Sequence, residues 1–364
     1  AVVSVFEVRG LFLQFLHGLQ KHQSEVTPVG KFTRYVLQKL SWYILAFFIA
    51  LFLNFLLPRL VPGDPISVLV SQMMSGAVTS EAQERVYQSF IQEFGLDKPF
   101  FVQFFTYIKN VFQGNLGTSF SLYPLSVNKI IADAIPWTLF LQFPAIIVGW
   151  IVGNLLGAFA AYRRGNFDRI LFPVALFINS VPYYCLAIIL LYVFGVYLRW
   201  FPIGGGYSRT LLPSWSWTFV VDVLHHYFLP FVSIVLVTIG GQAIGMREMS
   251  IYELNTDYVV YCKMLGMGDR KIQSYVFRNA MLPQITGLAI SLGTMVGGSL
   301  ITEIVFGYPG IGSTLFNGIR RLDYPLIQGS TLIIALTVLA ANFIIDMVYG
   351  LIDPRIRVAQ VEGS

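Results

Sequence analysis

Between Thr256 and Pro283 an otherwise apolar chain turns polar, and its residue types there suit docking better than bond-making chemistry. Thr256 reads as an N-cap and Gly266 as a left-handed C′ stop, which predicts a short helix of roughly nine residues. Asp269 reads as the cap of a second helix that runs until Pro283 starts the next membrane span. On the first helix Tyr258, Tyr261, Cys262 and Leu265 fall at i, i+3, i+4 and i+7, a single face. Such a stripe fits a groove on a partner, or else rests on the membrane interface or on its own bundle. Two spans could be joined in a few residues, so a helix–glycine–helix elbow of this length points to something that grips it.

Reaction chemistry is not visible elsewhere. The chain has no G-x-x-x-x-G-K-[ST] phosphate loop, no H-E-x-x-H, no G-x-S-x-G and no C-x-x-C. His225 and His226 have only Asp222 nearby in sequence and read as an interfacial hydrogen-bonding pair. The two cysteines, Cys185 and Cys262, fall in a span and in the polar loop, and two thiols alone cannot make a tetrahedral zinc site. No catalytic residue, metal site or cofactor of this chain's own is expected. Ionisable residues inside spans are functional suspects by default. Asp346 and Glu303 qualify, yet both lie toward span ends, unlike the proton or sodium relay of an ion-driven carrier; Arg355 is a nearby partner for Asp346. Neutral polar groups recur within the spans, among them Asn54, Gln142, Asn154 and Asn342. They either bond between helices or line a wet path for a polar solute. Asn179, Gln242, Ser291, Thr294, Ser299 and Glu303 are the candidates for that path or its gate.

The elements that must hold these residues follow from composition. Of 364 residues, 55% are hydrophobic and 12% charged, against about 25% charged in a soluble domain. The fold class is therefore an all-α integral membrane protein. A span needs about 20 mostly apolar residues, which places six at 40–60, 137–161, 170–198, 228–247, 284–306 and 326–351. Most of the 24 Lys and Arg lie in the N-terminal tail, the second-to-third connection, the elbow and the C-terminal tail. The positive-inside rule makes those segments, and both termini, cytoplasmic. The net charge of +5 reflects this topology and not nucleic-acid binding.

The chain then divides into a cytoplasmic tail at 1–39, a first span at 40–60, an external helical loop at 61–136, a five-span core at 137–353 containing the elbow at 256–283, and a cytoplasmic tail at 354–364. Residues 2–19 read as an interfacial amphipathic helix. In the external loop, acidic residues after Thr79 open a helix that Gly95 stops, and 99–112 forms another with Phe101, Phe104, Phe105, Ile108 and Phe112 on one face. Gly149, Gly153 and Gly157, like Gly241 and Gly245, lie four apart and let helix backbones approach, either within the chain or between subunits.

These residues carry a family resemblance. The elbow followed by Arg278-Asn-Ala-Met-Leu-Pro283 resembles the EAA loop of permeases in binding-protein-dependent ABC importers. More narrowly, the chain is similar to the first permease of the dipeptide/oligopeptide/nickel family. The stretches that carry this are Leu60-Val-Pro-Gly-Asp64-Pro65, Gly114-Asn-Leu-Gly117-Thr-Ser119, Ile135-Pro-Trp-Thr-Leu139, Val181-Pro182-Tyr-Tyr and Phe201-Pro-Ile-Gly204. Later come Glu303-Ile-Val-Phe-Gly-Tyr-Pro-Gly-Ile-Gly312, Asp323-Tyr-Pro325, Gln328-Gly329 and Asp353-Pro-Arg355. The name-giving acidic-alanine-alanine triplet is replaced by Val260-Tyr261-Cys262, with Asp257 or Asp269 as substitute carboxylates.

The resemblance implies the type I importer permease fold in a bacterial inner membrane. It implies a non-catalytic subunit paired with a second, similar permease, two cytoplasmic ATPases that hold ATP and Mg2+, and an external solute-binding protein. The solute it implies is a short peptide, with oligosaccharides or nickel as the family's alternatives. In that setting Asp257, Tyr258, Tyr261, Cys262, Leu265, Gly266 and Asp269 couple the permease to the ATPase. Readings from other classes are an autonomous ion-coupled carrier, which would work alone on an ion gradient, and an intramembrane enzyme, for which no nucleophile–base pair is visible.

Overall fold

The computed structural model describes residues 28–60, 62–74, 80–163, 165–298 and 300–352, and its regular elements there are helices, with one isolated antiparallel bridge between Thr118 and Ser126. The expected amphipathic helix at 2–19, Ser299 and the C-terminal tail with Arg355 lie outside the described residues. The chain separates into two compact units, 49–341 and 1–48 with 342–364.

In chain order the helices are α1 (Pro28–Leu60), α2 (Pro65–Met73), α3 (Ser80–Glu93), α4 (Phe100–Phe112), α5 (Val127–Arg163), α6 (Asn166–Ser180) and α7 (Tyr183–Leu190), which runs on as a wider π-helical turn, Leu191–Tyr197. Then come α8 (Trp217–Leu254), α9 (Asp257–Met264), α10 (Asp269–Gly298), α11 (Leu300–Val305), α12 (Ile311–Arg320) and α13 (Tyr324–Ile352). Among the described residues four helices, α1, α5, α8 and α13, contain stretches long and apolar enough to cross a membrane, and the bent pair formed by α6 with α7 and its π-helical turn makes a fifth if it is counted as one span. The predicted span at 284–306 is helical on both sides of residue 299, as α10 and α11, and residue 299 itself lies outside the described residues.

Several sequence boundaries move. The helix at 137–161 starts ten residues earlier, at Val127, inside the expected external loop, and the helix at 228–247 starts at Trp217. The span at 170–198 is not straight: α6 and α7 meet at 97°. Proline drives its predecessor out of the helical region, and Val181 before Pro182 is extended, at φ −78° and ψ 125°. Pro283, by contrast, does not end the elbow's second helix, since α10 runs through it without a break. A proline inside a membrane helix forfeits one backbone bond that neighbouring groups can re-satisfy.

The larger unit is built around α5 and α8, the most extensive helix pair. The glycine series makes that closeness possible. A Cβ on Gly149 would sit 2.5 Å from Thr238 Cβ, one on Gly153 2.6 Å from Gln242 Cβ, and one on Gly157 2.3 Å from the Ala243 carbonyl oxygen. The stripe therefore serves packing within the chain. Before α5, Asp64 caps α2 through Oδ1, which accepts from Ile66 N at 3.0 Å, and Pro65 takes the first helical position where no donor is needed. Helix α4 lays Phe100, Phe104 and Tyr107 against Phe55, while Phe101, Phe105 and Phe112 point away, exposed; the expected single aromatic face is two faces.

Asp323 ties the 119–121 segment to the start of α13. Its buried carboxylate accepts from Ser119 Oγ at 2.5 Å, Ser121 N at 2.8 Å, Ser121 Oγ at 2.8 Å and Leu326 N at 3.2 Å. Removing it orphans several buried donors at once. Asp323→Ala should therefore cost about 3 kcal/mol, with Asp323→Asn intermediate because its carbonyl still accepts. Thermal unfolding of the detergent-purified chain reads the ranking, and an unshifted Ala midpoint would refute it.

In the smaller unit Asp346 is held by Lys39 Nζ at 3.0 Å and by the Tyr43 hydroxyl at 2.9 Å, and its backbone carbonyl accepts from the Tyr35 hydroxyl at 3.1 Å. Tyr43 also meets Phe343 edge-on, with ring centres 5.5 Å apart. Among the described residues the basic partner of this intramembrane carboxylate is Lys39; Arg355, the partner offered by the sequence, lies outside them.

Candidate coupling handle

The handle begins where α8 stops. Asn255 closes α8 by donating its N–H to the Tyr252 and Glu253 carbonyls, and Thr256 is extended, at φ −83° and ψ 156°. That is N-cap backbone geometry, but the Thr256 hydroxyl donates to the Glu253 carbonyl at 2.6 Å and does not cap α9. At the far end Gly266 has φ +71°. Its N–H donates to Lys263 O at 3.0 Å, and Met267 N donates to Cys262 O at 3.1 Å, the paired bonds of a Schellman stop. A Cβ there would meet nothing within 4 Å, so glycine serves the backbone angle alone. The Gly268 carbonyl accepts from Lys271 N and Ile272 N, which makes Asp269 the first residue of α10 and not its cap. Asp257 and Asp269 are exposed in the first turns of α9 and α10, where the helix dipole favours carboxylates.

The two helices of the handle share a small core. Val259, Ile272 and Val276 are buried, with Tyr162, Leu254, Tyr258, Cys262 and Met267 packed around them. The Tyr258 hydroxyl donates to Glu253 Oε2 at 2.7 Å; burial and then that carboxylate raise the phenol above its ordinary value. The predicted face therefore divides. Tyr258 and Cys262 turn inward and are half-buried, whereas Tyr261 and Leu265 remain exposed at 63% and 61%. Beside them stand Val260 and Met264, the latter 79% exposed. The outward surface of α9 is thus Val260, Tyr261, Met264 and Leu265. Met264 was missed because periodicity alone does not say which row of α9 Val259 anchors to α10.

The handle's root is fixed to the bundle by an ion pair between α8 and α6. Arg247 on α8 donates through Nε and Nη2 to the two carboxylate oxygens of Asp168 on α6, at 2.5 and 2.8 Å. Its guanidinium lies 4.2 Å from the centre of the Phe172 ring. Two parallel bonds of this kind fix orientation as well as distance.

The path candidates are only partly brought together. Asn154 Nδ2 donates to Gln242 Oε1 at 3.3 Å between α5 and α8. Exposed Asn179 stands at the α6 break, with Oδ1 3.1 Å from where a Cβ of Gly241 would be. Ser291 and Thr294 donate to carbonyls of their own helix, Gly287 at 2.9 Å and Ile290 at 3.0 Å. Glu303 is 1% exposed, and its Oε2 accepts from Gly312 N at 2.7 Å, at the start of α12. A Cβ on Gly310 would lie 2.3 Å from that carboxylate. Glu303 therefore holds the Gly310–Gly312 turn rather than facing an open path. His226 sits 2.9 Å from the Asp222 carbonyl oxygen and His225 2.8 Å from that of Trp200, the local bonding expected of them. Asp222 also accepts from Ser208 N and Ser208 Oγ, both at 2.6 Å.

A close-packed membrane bundle that projects a two-helix handle with an uncovered apolar face has the anatomy of a transport permease. Residues 153–358 match the family described as binding-protein-dependent transport system inner membrane component, and the chain belongs to that family of multi-pass membrane proteins. It is 31% identical over 339 residues to the di/tripeptide transport system permease protein DppB of Pseudomonas aeruginosa, covering 89% of this chain and 98% of that relative. It is also 31% identical over 325 residues to the glutathione transport system permease protein GsiC of Escherichia coli, covering 89% and 98% respectively.

Proposed function

We propose that the chain is one of two permease subunits of an ATP-driven importer of short peptides. Its handle faces the cytoplasm and docks on a partner ATPase, and a solute-binding protein delivers peptide to the other side. The observation that carries the coupling role is the exposed row Val260, Tyr261, Met264 and Leu265 on a helix whose opposite side already fills its own core. An apolar helix face left uncovered by its own fold is what helix-in-groove recognition uses. Basic residues of the second-to-third connection and the handle, Arg163, Arg169, Arg247, Lys263, Arg270 and Lys271, support the cytoplasmic orientation. Peptide as solute is supported by the di/tripeptide and glutathione systems to which its relatives belong. ATP binding at the ATPases would move the handle as a rigid body and shift the permease pair between inward- and outward-open states.

Tyr261→Glu combined with Met264→Glu tests this directly. Both side chains are exposed, so folding and insertion should be untouched. In proteoliposomes of the assembled transporter, peptide uptake should fall at least about tenfold, as expected when a hot-spot pair worth more than 1.4 kcal/mol is lost, and the ATPases should no longer co-purify. Undiminished uptake with retained ATPases would defeat the assignment of this face.

A further inference from the structure

A second site lies away from the handle. Between the end of α1, α4 and the start of α13 a cavity of about 340 Å³ is lined by Arg59, Lys98, Gln103, Tyr107 and Gln328, with Glu93 also on its wall. The volume suits a small ligand or a headgroup, at the lower end of the range for small-molecule sites.

Its lining is rich in hydrogen-bond donors. Arg59 is half-buried, its guanidinium carbon 3.6 Å from the centre of the Phe55 ring, with Nη1 donating to Phe55 O at 2.8 Å and Nη2 to Gln103 Oε1 at 3.0 Å. No carboxylate pairs with it among the described residues. Glu93, the acid on the wall, accepts from the Tyr123 hydroxyl at 3.2 Å. A guanidinium has five N–H donors in a fork that matches an oxyanion, and two neutral carbonyls leave most of that capacity unused. Gln328 is 8% exposed, yet its Nε2 has no acceptor among the described residues. The Tyr107 hydroxyl oxygen accepts from Asn54 Nδ2 at 3.0 Å, which leaves its own proton to donate. A withdrawn cation and an orphan amide donor each cost free energy until an acceptor satisfies them.

We infer that this cavity binds the oxyanion of a small molecule, with Arg59 as the charged anchor and Gln328 and Tyr107 as neutral donors. Two sources present that chemistry, the carboxylate end of a short peptide and the phosphate of a lipid headgroup. The site stands on its own geometry, whether or not the handle couples to an ATPase.

The test uses the full chain in lipid-free dodecyl maltoside. One arm follows dialanine by saturation-transfer NMR, with dialanine amide as the control that lacks the carboxylate. The other adds phosphatidylglycerol and counts retained lipid by native mass spectrometry. For a peptide site, dialanine gives a saturable signal that weakens about tenfold or more in Arg59→Gln, as expected for a lost charge-assisted bond, recovers in Arg59→Lys, and is absent with the amide. For a lipid site, phosphatidylglycerol is retained by the native chain, lost from Arg59→Gln, and displaces dialanine. Gln328→Leu guards against misfolding: it removes an unsatisfied buried donor, so thermal stability should hold while affinity falls severalfold. If neither probe distinguishes the native chain from a folded Arg59→Gln or Gln328→Leu chain, the site is refuted.

Discussion

Gly266→Val should abolish ATP-driven uptake by the assembled transporter while leaving the chain folded and inserted. Gly266 sits at φ +71° with open space where a Cβ would go, so no clash enters. The penalty is purely one of backbone conformation, about 1–2 kcal/mol for an L-residue forced left-handed, and greatest for a β-branched one. That is enough to trade the tight stop for another loop path and so mis-aim α9 relative to α10. Asn tolerates the left-handed region better than other side chains, so uptake should rank Gly, then Asn, then Ala, then Val. Proteoliposome uptake with the ATPases and binding protein present supplies the measurement. Equal rates for the Asn and Val chains would mean that the bend at Gly266 carries no force.

The second large effect is expected at Gly310. A Cβ there would lie 2.3 Å from Glu303 Cδ and Oε2 and 2.4 Å from Oε1. The carboxylate cannot step aside without leaving Gly312 N and its buried place. Gly310→Ala should therefore cost about 3 kcal/mol or more, the upper range for overpacking combined with a broken buried polar contact. Glu303→Gln keeps an acceptor for Gly312 N and gives up the favourable charge at the start of α12, about 1 kcal/mol. The thermal midpoint and membrane yield of the two chains should differ in that order, and a Gly310→Ala chain as stable as the native one would overturn the reading of the turn.

What could be read without coordinates was what local rules govern. The stop at Gly266 and the stop at Gly95 with φ +65° each depend on a few adjacent residues, and each is where the sequence put it. The face of α9 was not legible, because it depends on the direction in which α10 leaves Gly268. Glu303 was assigned to a path because intramembrane acids often serve one. The signal for its other role lay in Gly310 and Gly312, whose missing side chains are the space its carboxylate fills. The broken span was within reach, since Val181-Pro182 carries the rule that breaks it, but counting apolar length hid it. Asp323 and Ser119 stand 204 residues apart, and only topology brings them together.

The glycine seam between α5 and α8 has a mechanical corollary. Helices whose backbones touch along three successive turns have no soft layer of side chains in which to slip, so α8 behaves as a stiff beam. Its 38 residues span about 57 Å at 1.5 Å per residue. A tilt of about 5° about Arg247 would then swing the Trp217 end, about 45 Å away at 1.5 Å per residue, through about 4 Å, carrying with it the 200–208 strap that Asp222 and His225 fasten there.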